Sequence, residues 1–243
     1  MFVRSGTPCT AQARLTASDA GLGDYFGVSV SISGDTTVVG AEGDDLGEAT
    51  DAGSAYVFVR SGTNWTEQAK LIASDAAAHD YFGLSVSISG DTAVVGANEG
   101  PAYVFVRSGT TWTEQAQLSA SGSAESVSLS GDTAVVGTYQ NYYPGFGYTG
   151  LAYVFVRSGT TWTEQAKLTA SDSSVGNYFG LSASISDDTA VVGANEGPAY
   201  VFVRSGTSWT EQAQLTASGA AESVSISGDT AVVGTYQNYY PGF

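Results

Sequence analysis

Three short phrases recur in fixed order along the chain, and their spacing constrains the fold more than any other feature does. "SGDT", or its relative "SDDT", followed by apolar residues and glycine, begins at Ser33, Ser89, Ser130, Ser186 and Ser227. "FVRSGT" begins at Phe2, Phe58, Phe105, Phe155 and Phe202. "WTEQA" begins at Trp65, Trp112, Trp162 and Trp209, and "CTAQA" from Cys9 takes the same place in the first unit. Arg4, Arg60, Arg107, Arg157 and Arg204 of the second phrase are 56, 47, 50 and 47 residues apart. That period is in the range of propeller blades and too long for leucine-rich or ankyrin repeats.

Each unit reads as four short strands. "LSVSIS" (84–89) alternates apolar and hydroxyl residues, the period of a half-buried strand. Gly90 and Asp91 suit a tight hairpin, because both tolerate positive φ. "TAVVGA" is short and β-branched, and its Gly96 is expected to let a neighbouring backbone come close. "AYVFVRS" and the more polar "WTEQAQLSAS" supply the third and fourth strands, the last suited to an outer edge. No stripe with a 3.6-residue period persists, so the fold expected is all-β, a β-propeller of five four-stranded blades.

The two ends of the chain fit that expectation. The last unit stops after its second strand, and the chain opens on a third and a fourth, so residues 1–17 would complete the last blade. Strands shared from both termini would close the ring and remove exposed edges, giving one domain over residues 1–243. The third strand of that blade is short, because "GYTGLAYV", which precedes the same phrase at Phe155, has no counterpart before Phe2. A fragment of a longer array is the alternative.

Composition narrows the function. Apolar residues make up 42 %, enough for a core, whereas charged residues are only 13 %. With 24 acids against 8 bases the net charge is −16, a field that repels phosphate backbones and anionic lipid. Nucleic acid and direct membrane insertion are therefore not expected, and a protein or carbohydrate ligand is. The single Cys9 rules out an internal disulfide, no run of 18 apolar residues exists, and no signal peptide is visible.

The phrases "YFGLSVSIS", "VVGA" and "AYVF" together resemble the FG-GAP repeat, the unit of integrin-α-like propellers. Phe-Gly stands at Phe26–Gly27, Phe82–Gly83 and Phe179–Gly180, and Gly-Ala at Gly40–Ala41, Gly96–Ala97 and Gly193–Ala194. The resemblance implies a propeller, a role in adhesion or ligand binding, and an extracellular or cell-surface setting. Many such repeats carry a D-x-D-x-D-G calcium loop between the first two strands. Here that hairpin is only Ser-Gly-Asp-Thr, too short for a cation that takes six to eight oxygens, so no cofactor is expected there. Units three and five lack Phe-Gly, and a long unit followed by a short one is duplicated, which gives the 97-residue echo from Tyr81 to Tyr178.

Catalytic groups are scarce. His79 is the only histidine, in a loop beside Asp80, and no nucleophile-elbow pattern accompanies it. Asp44, Asp45, Glu48 and Asp51 share one acidic loop, a weak candidate for calcium whose spacing matches no twelve-residue calcium loop. Asp35, Asp91, Asp132, Asp188 and Asp229 are expected to satisfy turn amides. The recurring Arg, Trp and Glu are expected to pair across a hairpin for under about 1 kcal/mol each. The strongest binding candidates are two aromatic loops between second and third strands. One carries Tyr139, Asn141, Tyr142, Tyr143, Phe146 and Tyr148, the other Tyr236, Asn238, Tyr239 and Tyr240. Flat rings beside amides are what sugar and protein recognition use. The expectation is a monomeric, non-catalytic, adhesion-like recognition module, with a multivalent lectin or a structural scaffold as alternatives.

Overall fold

The computed structural model describes residues 2–4, 9–143, 147–172, 178–195, 197–216 and 219–236. Among them every regular element is a strand, and every pairing between strands is antiparallel. The chain opens with a two-stranded hairpin, β1 (Phe2–Arg4) and β2 (Cys9–Ala11). Blade 1 follows as β3 (Val30–Ser33), β4 (Thr36–Ala41), β5 (Ser54–Ser61) and β6 (Asn64–Leu71). Blade 2 is β7 (Ser85–Ser89), β8 (Thr92–Gly96), β9 (Ala102–Ser108) and β10 (Thr111–Leu118). Blade 3 is β11 (Ser123–Ser130), β12 (Thr133–Tyr143), β13 (Gly147–Ser158) and β14 (Thr161–Leu168). Blade 4 is β15 (Phe179–Ser186), β16 (Thr189–Ala194), β17 (Ala199–Ser205) and β18 (Ser208–Leu215). A second two-stranded sheet, β19 (Ala220–Ser227) and β20 (Thr230–Tyr236), ends the described chain.

The period-two alternation of the first strands explains how blades stack. In β7, Val86 and Ile88 point to the preceding blade, where they join Val38 and Val57 in one buried cluster. The serines between them point the other way, to the following blade. The Oγ atoms of Ser85, Ser87 and Ser89 accept the amides of Val127, Leu129 and Gly131 at 2.9–3.2 Å. The same staple links Ser31 and Ser33 to Ile88 and Gly90, Ser128 and Ser130 to Ile185 and Asp187, and Ser182, Ser184 and Ser186 to Val224, Ile226 and Gly228. Apolar burial contributes about 1.5–3 kcal/mol per fully covered Val or Ile. The hydroxyls satisfy inner-edge amides that the apolar contact would otherwise strand.

Glycine permits the close approach of blades. A Cβ on Gly137 would lie 2.0 Å from the carbonyl oxygen of Gly180 in the next blade, and one on Gly96 would lie 2.4 Å from that of Ala124. The Tyr-Phe-Gly segments turn the chain into this contact. Tyr25, Tyr81 and Tyr178 hold φ of 47–54° and the following Gly27, Gly83 and Gly180 φ of 95–98°. In blade 2 that turn seats Phe82 fully buried, edge-on to Tyr103 and Phe105, and Phe179 sits likewise on Tyr200 and Phe202.

Candidate functional site

In each meander the connection from second to third strand and the connection to the next blade leave from the same side. Their contacts confirm it: the amides of His79, Tyr81 and Phe82 donate to the carbonyls of Thr50, Asp51 and Ala52, joining the two kinds of connection between blades 1 and 2. On this side the β12–β13 ladder continues well beyond its counterparts. The β8–β9 ladder stops at Val95↔Tyr103, whereas the β12–β13 ladder runs on through Tyr139↔Gly150 and Gln140↔Thr149 to Tyr143↔Gly147.

The loop expected there is therefore corrected to a paired hairpin. β-Favouring Thr and Tyr extend both strands, which run to Tyr143 and from Gly147. Tyr139, Asn141, Tyr142 and Tyr143 lie on β12, Tyr148 lies on β13, and Tyr236 ends β20. Phe146, Asn238, Tyr239 and Tyr240 lie outside the described residues. The same side carries aromatics that the sequence reading passed over, Tyr25, Tyr81 and Tyr178; Tyr25 is 67 % exposed. Their repeated place before Phe-Gly was the available signal.

The acidic loop does not converge. Asp44 is buried and accepts from the Ser54 hydroxyl, with Lys70 Nζ at 2.7 Å, while Asp45 Oδ1 accepts the Asp51 amide at 2.9 Å. Glu48 is exposed, and Asp51 Oδ2 lies 3.4 Å from His79 Nδ1. Among the described residues no three His, Cys, Asp or Glu side chains are grouped as metal ligands would be. Lys70 also binds Asp19 at 2.7 Å. Burial alone would depress the Lys70 ammonium, but hydrogen bonds to Asp19 and Asp44 carry its pKa well above the ordinary value. Hydrogen bonds from Lys70 and Tyr56 in turn hold the Asp19 carboxyl below its ordinary value.

Two other carboxylates are shifted upward. Half-buried Glu125, on β11, is pushed up to about 7 by burial and then by the charge of Glu42, which follows β4. Burial raises Glu42 as well. Two acids from separate blades thus feel each other across the assembly, a relation no local pattern in the sequence could reveal.

The turn aspartates also require correction. The carboxylates of Asp35, Asp91, Asp132 and Asp188 receive the third-strand arginine, with Nε–Oδ1 distances of 2.6–2.7 Å, instead of nearby amides. Each arginine lies 5.4–5.8 Å from the centre of the paired tryptophan ring, as the cross-strand expectation has it. The third member, glutamate, acts between blades: Glu67, Glu114 and Glu211 accept the amide and hydroxyl of Ser18, Ser74 and Ser171.

A bulge between third and fourth strands frees Gln68, Gln115 and Gln165 from register. Each accepts the indole N–H of the next blade's tryptophan at 2.9–3.2 Å, and Gln12 does the same for Trp65 at 3.0 Å. Retention of Gln12 in the unit that has lost Trp and Glu was the clue: the glutamine serves the following blade.

Stacked four-stranded antiparallel meanders of this kind define a β-propeller protein. The FG-GAP repeat model matches residues 9–58, 65–105 and 162–202, more than half of the chain, and the chain belongs to the FG-GAP repeat family. Propellers of that family are typically non-catalytic. No curated protein matches the chain. Among solved structures, the crystal structure of the computationally designed Ika4 protein matches with a TM-score of 0.52 at 14 % identity, over 79 % of this chain and 99 % of that one. At that identity the likeness is one of fold. No helix among the described residues is long and apolar enough to cross a membrane.

Proposed function

We propose that the chain is a non-catalytic, adhesion-like recognition module that presents its tyrosine-rich segments to a protein or glycan surface. The observation that carries this reading is the β12–β13 extension, a paired hairpin that continues past the blade with residues 139–143 and 147–149 on it. A paired ladder is a stiffer support than a loop, which lowers the entropy lost on binding. The nine residues "TYQNYYPGF" occur twice, at 138–146 and 235–243, and this favours a multivalent lectin among the possible ligand classes. An extracellular or cell-surface setting accords with the habit of the family.

The test is a glycan array probed with the purified chain beside a variant carrying Ala at Tyr142, Tyr143, Tyr239 and Tyr240. Binding lost in a variant of unchanged circular dichroism is the expected outcome. Binding retained by that variant overturns the assignment to these segments, and a blank array moves the ligand from glycan to protein.

A further inference from the structure

The interface between consecutive blades is built four times along the chain, and each end of the described structure carries one unmatched half of it. At the front of blade 1, Val30 and Ile32 are 68 % and 54 % exposed, whereas Val86 and Ile88, at the same positions in blade 2, are 7 % and 5 % exposed. They border a groove of about 550 Å³ lined by Arg14, Leu15, Phe26, Val30, Ile32 and Val39. On the rear of the β19–β20 hairpin, Val232 is 64 % exposed, whereas Val38, Val94, Val135 and Val191 at the same position are fully buried. Ser223, Ser225, Ser227 and Thr230 are exposed on that hairpin.

The chemistry of the two faces is complementary, position by position. By the repeat register, Ser223, Ser225 and Ser227 would meet the amides of Val30, Ile32 and Gly34 if the two faces joined, as Ser85, Ser87 and Ser89 meet those of Val127, Leu129 and Gly131. Thr230 would likewise meet Arg60, as Thr36, Thr92 and Thr133 accept Nη1 of Arg107, Arg157 and Arg204. The β1–β2 hairpin and the segment after it already dock on blade 1 as an outer strand pair does, through Gln12 to Trp65 and Ser18 to Glu67. What the groove takes is an inner strand pair, and β19–β20 is one.

We infer that the groove at the front of blade 1 receives the β19–β20 hairpin of a second copy of this chain, so that one blade is shared between two molecules. A second copy fits as the occupant because its β19–β20 hairpin carries, in register, the serines, threonine and valine that fill the equivalent seat between the other blades. The interface is head-to-tail, which permits chains of copies or a larger closed ring, and it multiplies the aromatic hairpins. The charge of −16 per copy opposes the union, so raised salt strengthens it.

The test is sedimentation of the chain across a concentration series, alone and with two variants, Ile32→Asp and Val232→Asp. Both positions are exposed in the single chain, and circular dichroism checks that each variant folds. Expected are a concentration-dependent oligomer for the parent, at least tenfold weaker association for either variant alone, and a dimer when the two variants are mixed. The mixture restores one intact pair of faces, the groove of Val232→Asp and the hairpin of Ile32→Asp. A parent that stays monomeric up to about 1 mM, whether its own hairpin closes the ring or the faces stay open, overturns the inference. So does a mixture that remains monomeric.

Discussion

Ile88 and Ile32 stand at the same place in successive repeats, with the same neighbours in sequence, yet one is 5 % exposed and the other 54 %. The difference lies wholly in what precedes each blade. Blade 2 has the rear of blade 1 before it; among the described residues blade 1 has the outer pair β1–β2 and the segment after it, whose Leu15 and Ala17 pack with Tyr56 and Phe58 while Val30 and Ile32 of β3 stay exposed. The comparison separates two contributions that a repeat protein normally confounds. The local sequence makes the blade, and the neighbour makes the core. It also gives paired substitutions whose local chemistry is identical, so any difference in effect measures the neighbour alone.

The largest difference is expected for truncation of those isoleucines. Ile88→Ala removes buried methyl groups from the cluster shared with Val38 and Val57, at a cost of about 3 kcal/mol in urea unfolding. Ile32→Ala, in a sample dilute enough to keep copies apart, is expected to cost under about 0.5 kcal/mol. Equal costs would mean that Ile32 is covered in the isolated chain, and the open face would not exist in solution.

Glycine gives the next pair. A Cβ on Gly137 meets the Gly180 carbonyl of blade 4 at 2.0 Å, a backbone atom that can retreat only if the blades part. Gly137→Ala is therefore expected to destabilise by about 1–3 kcal/mol. A Cβ on Gly234, the same position in β20, meets first the side-chain oxygen of Ser223 at 2.4 Å, which can rotate away. Gly234→Ala is expected to be near neutral, since the lost freedom of the unfolded chain offsets a small repacking cost. Thermal unfolding of the two variants side by side, in samples dilute enough to keep copies apart, checks the contrast, and a Gly234→Ala as damaging as Gly137→Ala would sink it.

The repeat makes much of this legible in the sequence. Strand order, the hairpins at Ser-Gly-Asp-Thr and the close approach at Gly96 follow from alternation and turn chemistry that act within a few residues. Relations between blades were not legible in the same way. "SVSIS" reads as one apolar face and one solvated face, and nothing local says that the serines grip the next blade's amides. Asp91 and Arg107 are 16 residues apart and Asp35 and Arg60 are 25, so their pairing needs the sheet register. The tyrosine-rich segment reads as a loop because Pro144 and Gly145 are turn residues, whereas the Thr and Tyr on either side favour strand. As for the candidate site, the sequence names tyrosine-rich segments, and the structure adds the ladder that carries residues 139–143.

The smallest expected effect concerns the charge that blade stacking perturbs. Glu125, on β11 of an interior blade, has its pKa raised from 4.5 to about 7, first by burial and then by the charge of Glu42. A carboxyl raised on folding holds its proton longer in the folded chain than in the unfolded one. Between pH 4.5 and 7 the folded state therefore binds more protons, and stability falls as pH rises through that window. The contribution is fully present below pH 4.5 and lost above about 7. Solvent screening at this half-exposed site limits it to on the order of 1 kcal/mol. Other carboxylates titrate too, so the difference between the parent and Glu125→Gln isolates the effect: the parent should lose melting temperature relative to the variant between pH 5 and about 7.5. Glu42→Gln should move the parent's inflection to lower pH while leaving the part due to burial. Parallel profiles for parent and Glu125→Gln would show that stacking leaves Glu125 as accessible to water as Ile32, and the contrast between covered and open copies would then hold for apolar side chains alone.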